Sequence, residues 1–293
     1  TINSFLVSKG DTKSLRNVLI FTFFLNLFLN PIFIYGAFLI PAMGIKGIAL
    51  ATLCSQFVGL IYIIIKVNST NLKKYLDLEC FMPKLSIQKE IFTQAIPAIG
   101  SMMFIGLGVF VLLYYVSMYG DYSAGGYGAA IRFEQLFLLP VLGLNASTLA
   151  LVGQNFGASN FNRILETYKK SILYGTIFMA TCGIFIFLSA DYIMYFFSVN
   201  KEIIFYGSTY LKIAAFAGPC YPIFFISSAL LQGLKKPNYQ MIINLMRMIV
   251  LPISALSIAV VYLNVEFATM FLVILAINYI FAASVYKFSI YQI

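Results

Sequence analysis

The sequence predicts an all-α integral membrane protein with eight transmembrane helices, and three observations carry that expectation. Of 293 residues, 61% are hydrophobic and 10% charged, with a mean hydropathy of +0.92. A water-soluble domain carries about 25% charged residues and needs them to stay dispersed. Charged residues are also spaced so that eight long stretches contain no Asp, Glu, Lys or Arg. Finally, runs such as 18–24 and 184–188 do not alternate in polarity, whereas spanning β-strands do so over about 9–11 residues.

The uncharged stretches are 17–45, 47–65, 91–120, 135–162, 171–190, 213–234, 248–265 and 267–286. Each comes close to or exceeds the roughly 20 residues a helix needs to cross about 30 Å of hydrocarbon. The segment 66–90 is the one long polar stretch between them. It divides the chain into 1–65, a cytoplasmic linker 66–90, and a six-helix group 91–293.

Lysine and arginine orient these spans. Fourteen fall on one side (Lys9, Lys13, Arg16, Lys66, Lys73, Lys74, Lys84, Lys89, Arg163, Lys169, Lys170, Lys235, Lys236 and Lys287), and only Lys46 and Lys201 on the other. By the positive-inside rule, both visible ends and the linker lie in the cytoplasm, as expected for a multi-pass protein of the cell inner (plasma) membrane. Arg132, Lys212 and Arg247 are left inside or at the edge of spans. The net charge of +9 follows from these loops and implies no nucleic-acid partner; the contacts expected are membrane lipid and a small organic molecule.

Several chemistries are excluded or disfavoured. The chain has no His, so a His-ligated metal or a His-dependent triad cannot be built from it. Cys54, Cys182 and Cys220 are within spans and Cys80 is on the linker, a pattern that suggests neither a disulfide nor a metal site. A membrane enzyme needs convergent acids, His or Cys at mid-depth; Glu134 is the only carboxylate well inside a span. The expectation is no enzyme activity, no metal and no cofactor.

A weak internal repeat bears on length. Residues 10–13 (GDTK) open the first span, with Pro31 beyond them; residues 233–236 (GLKK) open the seventh, with Pro252 beyond. In that register the first half lacks spans that the second half has. The chain, which opens on Thr1, then reads as the C-terminal part of a polypeptide of about 430 residues and 12 spans, four of them upstream.

The most specific motif is 151–158 (LVGQNFGA), preceded by 127–134 (YGAAIRFE) and 142–144 (LGL). Earlier come 10–13, 26–34 (NLFLNPIFI) and 44–52 (GIKGIALAT), and the sixth span ends in 231–237 (LQGLKKP). In this order the set resembles the multidrug and toxic compound extrusion (MATE) family of cation-coupled exporters, over nearly the whole chain. The resemblance implies part of a 12-helix, two-lobe transporter: the last two helices of the N-lobe, then the whole C-lobe. It also implies antiport of amphipathic organic compounds by alternating access, and a chain inactive without its four upstream helices. A flippase of the same superfamily, moving lipid-linked oligosaccharides, is the alternative.

Candidate site residues follow from chemistry and from that resemblance. Asn26 and Asn30 lie one turn apart, and Pro31 breaks a helix hydrogen bond beside them. The pair can bind a cation or a polar group, or can simply glue helices together. In proton-coupled members the family motif is Asn-x-x-x-Asp-Pro; here its acidic position is Asn30, which cannot titrate. Sodium-coupled members are associated with acids in the seventh and tenth helices, and the matching segments 91–120 and 203–234 have none. Proton coupling is therefore favoured over sodium.

Glu134 shares a helical stripe with Val141, Asn145 and Thr148, interrupted by Pro140. Lys212 or Arg132 can pair with it, either as a structural ion pair or as part of a proton or cation-substrate site. Arg247 is expected to snorkel to the cytoplasmic interface. Aromatic residues (29 Phe, 20 Tyr) suit flat organic cations, and Tyr62, Tyr114, Tyr115, Tyr192, Tyr195, Tyr262 and Tyr286 read as interfacial anchors. Gln154, Asn155 and Gly157 read as a helix cap, with Gly157 supplying the left-handed turn. Pro219 and Pro222 form the sharpest hinge candidate.

Overall fold

The computed structural model describes residues 12–37, 41–68 and 84–293. Gly10, Asp11, Cys80 and residues 69–83 of the predicted linker lie outside the described residues. Eight helices are long and apolar enough to cross a membrane among those described. The chain divides into two compact units, Thr1–Leu85 and Ser86–Ile293.

The first unit holds helices α1 (Thr12–Tyr35) and α2 (Ile45–Asn68). They pack through a stripe of small residues on α2: Gly47, Ala51, Ser55 and Gly59 recur every fourth position and are buried. In lipid, where apolar contact gives no solvent-driven attraction, such residues let backbones approach closely enough for dispersion to hold helices together. A Cβ at Gly59 would stand 2.8 Å from Thr22 Cγ2, so a side chain there would have to displace Thr22. The connection is tied by Met43 N–H to Phe33 O (3.0 Å) and Gly44 N–H to Ile34 O (3.2 Å). Helix α2 continues to Asn68 and α3 begins at Leu85, so helical structure enters both ends of the predicted 66–90 linker.

The second unit contains α3 (Leu85–Ser117), α4 (Asp121–Gly157), α5 (Phe161–Phe197), α6 (Lys201–Gly233), α7 (Pro237–Tyr262) and α8 (Phe267–Tyr291). Short turns force consecutive helices to run antiparallel. Asn160 and Asn200 cap α5 and α6, accepting the backbone N–H groups of Arg163 (3.2 Å) and Glu202 (2.9 Å), the donors a helix start leaves unpaired. Gly120 adopts φ 105°, and Ser123 Oγ donates to Gly120 O, closing the α3–α4 turn.

Helix α6 is the centre of this unit. Two thirds (67%) of its apolar window is buried, against 17–22% for the other five helices, whose remaining surface is apolar and suited to lipid. Helix α5 buries one stripe (Ile164, Tyr168, Ile172, Gly175, Met179, Gly183, Ile186, Ala190, Met194) at helical spacing. Helix α4 comes so close to α6 that a Cβ on Gly126 would lie 2.7 Å from Ile203 O.

Two helices depart from α geometry at prolines. In α6, residues Gly218–Cys220 form a 3-10 turn containing Pro219, with Pro222 in the first turn that follows; Tyr279 donates its hydroxyl to Phe216 O (2.8 Å) beside it. In α7, Pro252 has no N–H to offer the carbonyl of Met248. The helix widens to π turns at Met246–Val250 and Ser257–Tyr262, and Leu251 N–H reaches back five residues to Met246 O. Tyr115 braces this region through Ser257 Oγ (2.7 Å) and is buried. Tyr286 stacks on Tyr168. Buried Tyr115 is not the interfacial anchor its position near a span end suggested, and Tyr286 is half-buried; Tyr114, Tyr192, Tyr195 and Tyr262 are exposed.

The α4 end also differs from expectation. Gly157 is the last helical residue, and the left-handed position is Ser159 (φ 55°). Asn155 donates its side-chain amide to Leu151 O (2.7 Å), and Ala158 N–H donates to Gln154 O (3.1 Å), so this motif satisfies the helix end.

Candidate functional site

A cavity of about 200 Å³ lies inside the second unit, lined by α3, α4, α6, α7 and α8. Each helix contributes a face fixed by its own periodicity: Tyr127, Ile131, Glu134 and Leu138 from α4, and Tyr210, Ala214, Ala217 and Tyr221 from α6. Helix α7 adds Arg247 and Met248 from its π turn, and α8 adds Phe271 and Asn278. Gly108 of α3 leaves room for Met248, whose Cβ would be 2.8 Å from any Cβ at that position.

Glu134 is 5% exposed and both its oxygens are engaged. Tyr210 donates to Oε2 at 2.5 Å and Tyr221 to Oε1 at 2.8 Å. Tyr127 meets Tyr210 edge to face (4.9 Å) and stacks on Phe271 (5.9 Å), which fixes all three rings. The Tyr127 hydroxyl is buried without a hydrogen-bond partner among the described residues.

Arg247 is half-buried and turned inward. Its guanidinium lies 3.8 Å from the Phe224 ring centroid and 5.4 Å from that of Tyr221, and Nε donates to Asn278 Oδ1 at 3.2 Å. The expected snorkelling is therefore not adopted. A cation stacked on a ring face inside the bundle trades water for π contact and one amide.

The predicted partners of Glu134 are elsewhere. Lys212, half-buried, pairs with the exposed Asp191 (2.7 Å), and Arg132 is exposed outside the cavity. Asn145 does not line the cavity; its amide donates to Phe225 O (2.5 Å), tying α4 to α6. Thr148 likewise donates to Ser171 (2.9 Å). In the first unit, Asn30 donates to Asn26 Oδ1 (2.9 Å) and Asn26 to Thr52 (3.4 Å). Asn30 Oδ1 stays buried with no partner among the described residues, beside Pro31.

Sequence reasoning missed Tyr210, Tyr221, Tyr127 and Asn278. A signal existed: Tyr127 stands seven residues before Glu134, and Tyr210–Ala214–Ala217–Tyr221 has helical spacing with small residues between the tyrosines.

The family model described as MatE matches residues 97–258, which include α4, α5, α6 and the cavity-lining part of α7. The chain belongs to the MatE family. It is 32% identical over 205 residues to the probable multidrug resistance protein NorM of Thermotoga maritima, covering 69% of this chain and 43% of that one. It is 27% identical over 257 residues to the probable multidrug resistance protein YpnP of Bacillus subtilis, covering 87% and 56%. A solved outward-facing multidrug resistance MATE family transporter of the MOP superfamily superposes with a TM-score of 0.89 at 23% identity, over 98% of this chain and 64% of that one. The chain thus spans about half the length of the curated relatives it matches.

Proposed function

We propose that this chain forms the larger part of a secondary exporter that moves amphipathic organic compounds across the cell membrane by alternating access, driven by an ion gradient. Family membership and relatives named for multidrug resistance support the reading. The observation that carries it is the cavity, where Glu134 and Arg247 are kept inside a lipid-facing bundle without forming an ion pair. Ionisable groups at such depth cost several kcal/mol and are kept where a pathway uses them (roughly 2.5–3.5 kcal/mol each on insertion scales).

Proton coupling is favoured over sodium, because segments 91–120 and 203–234 carry no acid. Four further helices would join α1 and α2 to complete a second lobe, in keeping with relatives of which the matched region covers 43% and 56%. The 3-10 turn at Gly218–Cys220 is the hinge proposed for rocking. A flippase of lipid-linked oligosaccharides would need several cations for a pyrophosphate, and among the described residues Arg247 is the single Lys or Arg lining the cavity.

The test is reconstitution of the full-length protein in liposomes loaded with cationic and anionic fluorescent dyes. Dye movement driven by a proton gradient, and more weakly by sodium, is expected. No movement of any dye, together with accumulation of lipid-linked precursors on gene deletion, overturns the exporter reading.

A further inference from the structure

The two charged groups lining the cavity are not equally available. Both oxygens of Glu134 already accept tyrosine hydroxyls. Arg247 uses only Nε, and its terminal amino groups have no hydrogen-bond partner among the described residues. The contact with the Phe224 ring, 3.8 Å from guanidinium carbon to centroid, uses none of the N–H donors. Asn278 cannot flip away without losing a second bond, since its Nδ2 donates to Ile274 O (3.0 Å). The charge offered to a ligand is therefore positive, and its fork suits two parallel hydrogen bonds to one planar anion.

We propose that this cavity binds a small organic compound through a single carboxylate held by the terminal amino groups of Arg247, with the compound's apolar body against Met248, Ile274 and Leu275. Three further features of the cavity support this assignment. Its volume, about 200 Å³, gives room for on the order of a dozen water-sized positions, enough for a small aromatic acid and below the usual volume for a drug-sized ligand. A singly charged carboxylate fits both arms of the arginine fork while adding the least negative charge beside Glu134, whereas a doubly charged phosphate would leave more charge uncompensated in an apolar site. The buried, unpartnered hydroxyl of Tyr127 supplies a second polar contact for the ligand. The proposal rests on the reading of this cavity as the substrate site.

The test uses purified full-length protein in detergent, with benzoate as probe and benzamide, benzylammonium and phenyl phosphate as matched controls, read by melting temperature and saturation binding. Benzoate is expected to raise the melting temperature saturably, and the three controls are not. Arg247→Gln should weaken benzoate binding at least tenfold. Asn278→Asp should do the same in a folded protein, because it hands Arg247 an internal carboxylate; it decides the matter if the first variant fails to fold.

Stabilisation by benzylammonium or phenyl phosphate in place of benzoate overturns the proposal, as does benzoate binding that survives both substitutions. Dye movement without benzoate binding removes the carboxylate site and leaves the exporter. Benzoate binding without dye movement does the reverse.

Discussion

The hydroxyl of Tyr221 lies 2.8 Å from Oε1 of Glu134, joining α6 to α4 across 87 residues of sequence. With Tyr210 on the other oxygen, it turns a buried carboxyl into a clamp between two helices on either side of the break at Pro219. The carboxyl therefore has a structural task besides any part in transport.

Removing that clamp should cost stability. A hydrogen bond contributes about 0.5–1.5 kcal/mol net, so Tyr210→Phe and Tyr221→Phe should each lower the melting temperature of the full-length protein. In a double-mutant cycle with Glu134→Gln the losses should be less than additive, since both substitutions act on one contact. Additive losses would show that the tyrosines act through packing alone.

The Lys212–Asp191 pair should matter little. Both side chains reach solvent, and pairs of this kind contribute about 0–1 kcal/mol. Asp191→Asn is expected to leave thermal stability and dye movement close to those of the wild type. A large loss in either would give the pair a role its exposure does not suggest.

These contrasts show what the sequence could and could not convey. Eight spans were legible because charge spacing and the length of a membrane-crossing helix are local properties. Glu134 stood out as the one deep carboxylate for the same reason. Its partners were not legible, because they depend on which face each helix turns inward. Residues two apart on a helix point about 200° away from each other. With Tyr210 facing the cavity, Lys212 must face out; with Glu134 facing in, Arg132 must face out. Arg247 was misjudged because an α register does not anticipate the π turn that carries it, and Gly157 because the left-handed residue came two positions later, at Ser159.

Close helix approach gives a sharper prediction. Gly126→Ala would place a methyl group 2.7 Å from Ile203 O and 2.8 Å from Gly207 N, both backbone atoms that cannot rotate aside. Overpacking of this kind costs about 1–3 kcal/mol, so the melting temperature should fall. Gly128→Ala, with open space at its Cβ position, should be neutral in the same assay and serves as the control.

Pro252 offers the most informative substitution. Its missing N–H leaves Met248 O without an α-helical donor, and the five-residue turn Met246–Val250 that results carries Arg247. Pro252→Ala restores the donor and should let that turn tighten to α geometry, rotating Arg247 by about 100° relative to the rest of α7. The guanidinium would then leave the Phe224 face and the cavity. Helix stability should hold or rise, because an interior proline is removed, while dye movement in liposomes should fall. Retention of full transport with an unchanged melting temperature would show that the π turn, and with it the placement of Arg247, is set by packing against Gly108 and Tyr115 and not by the proline.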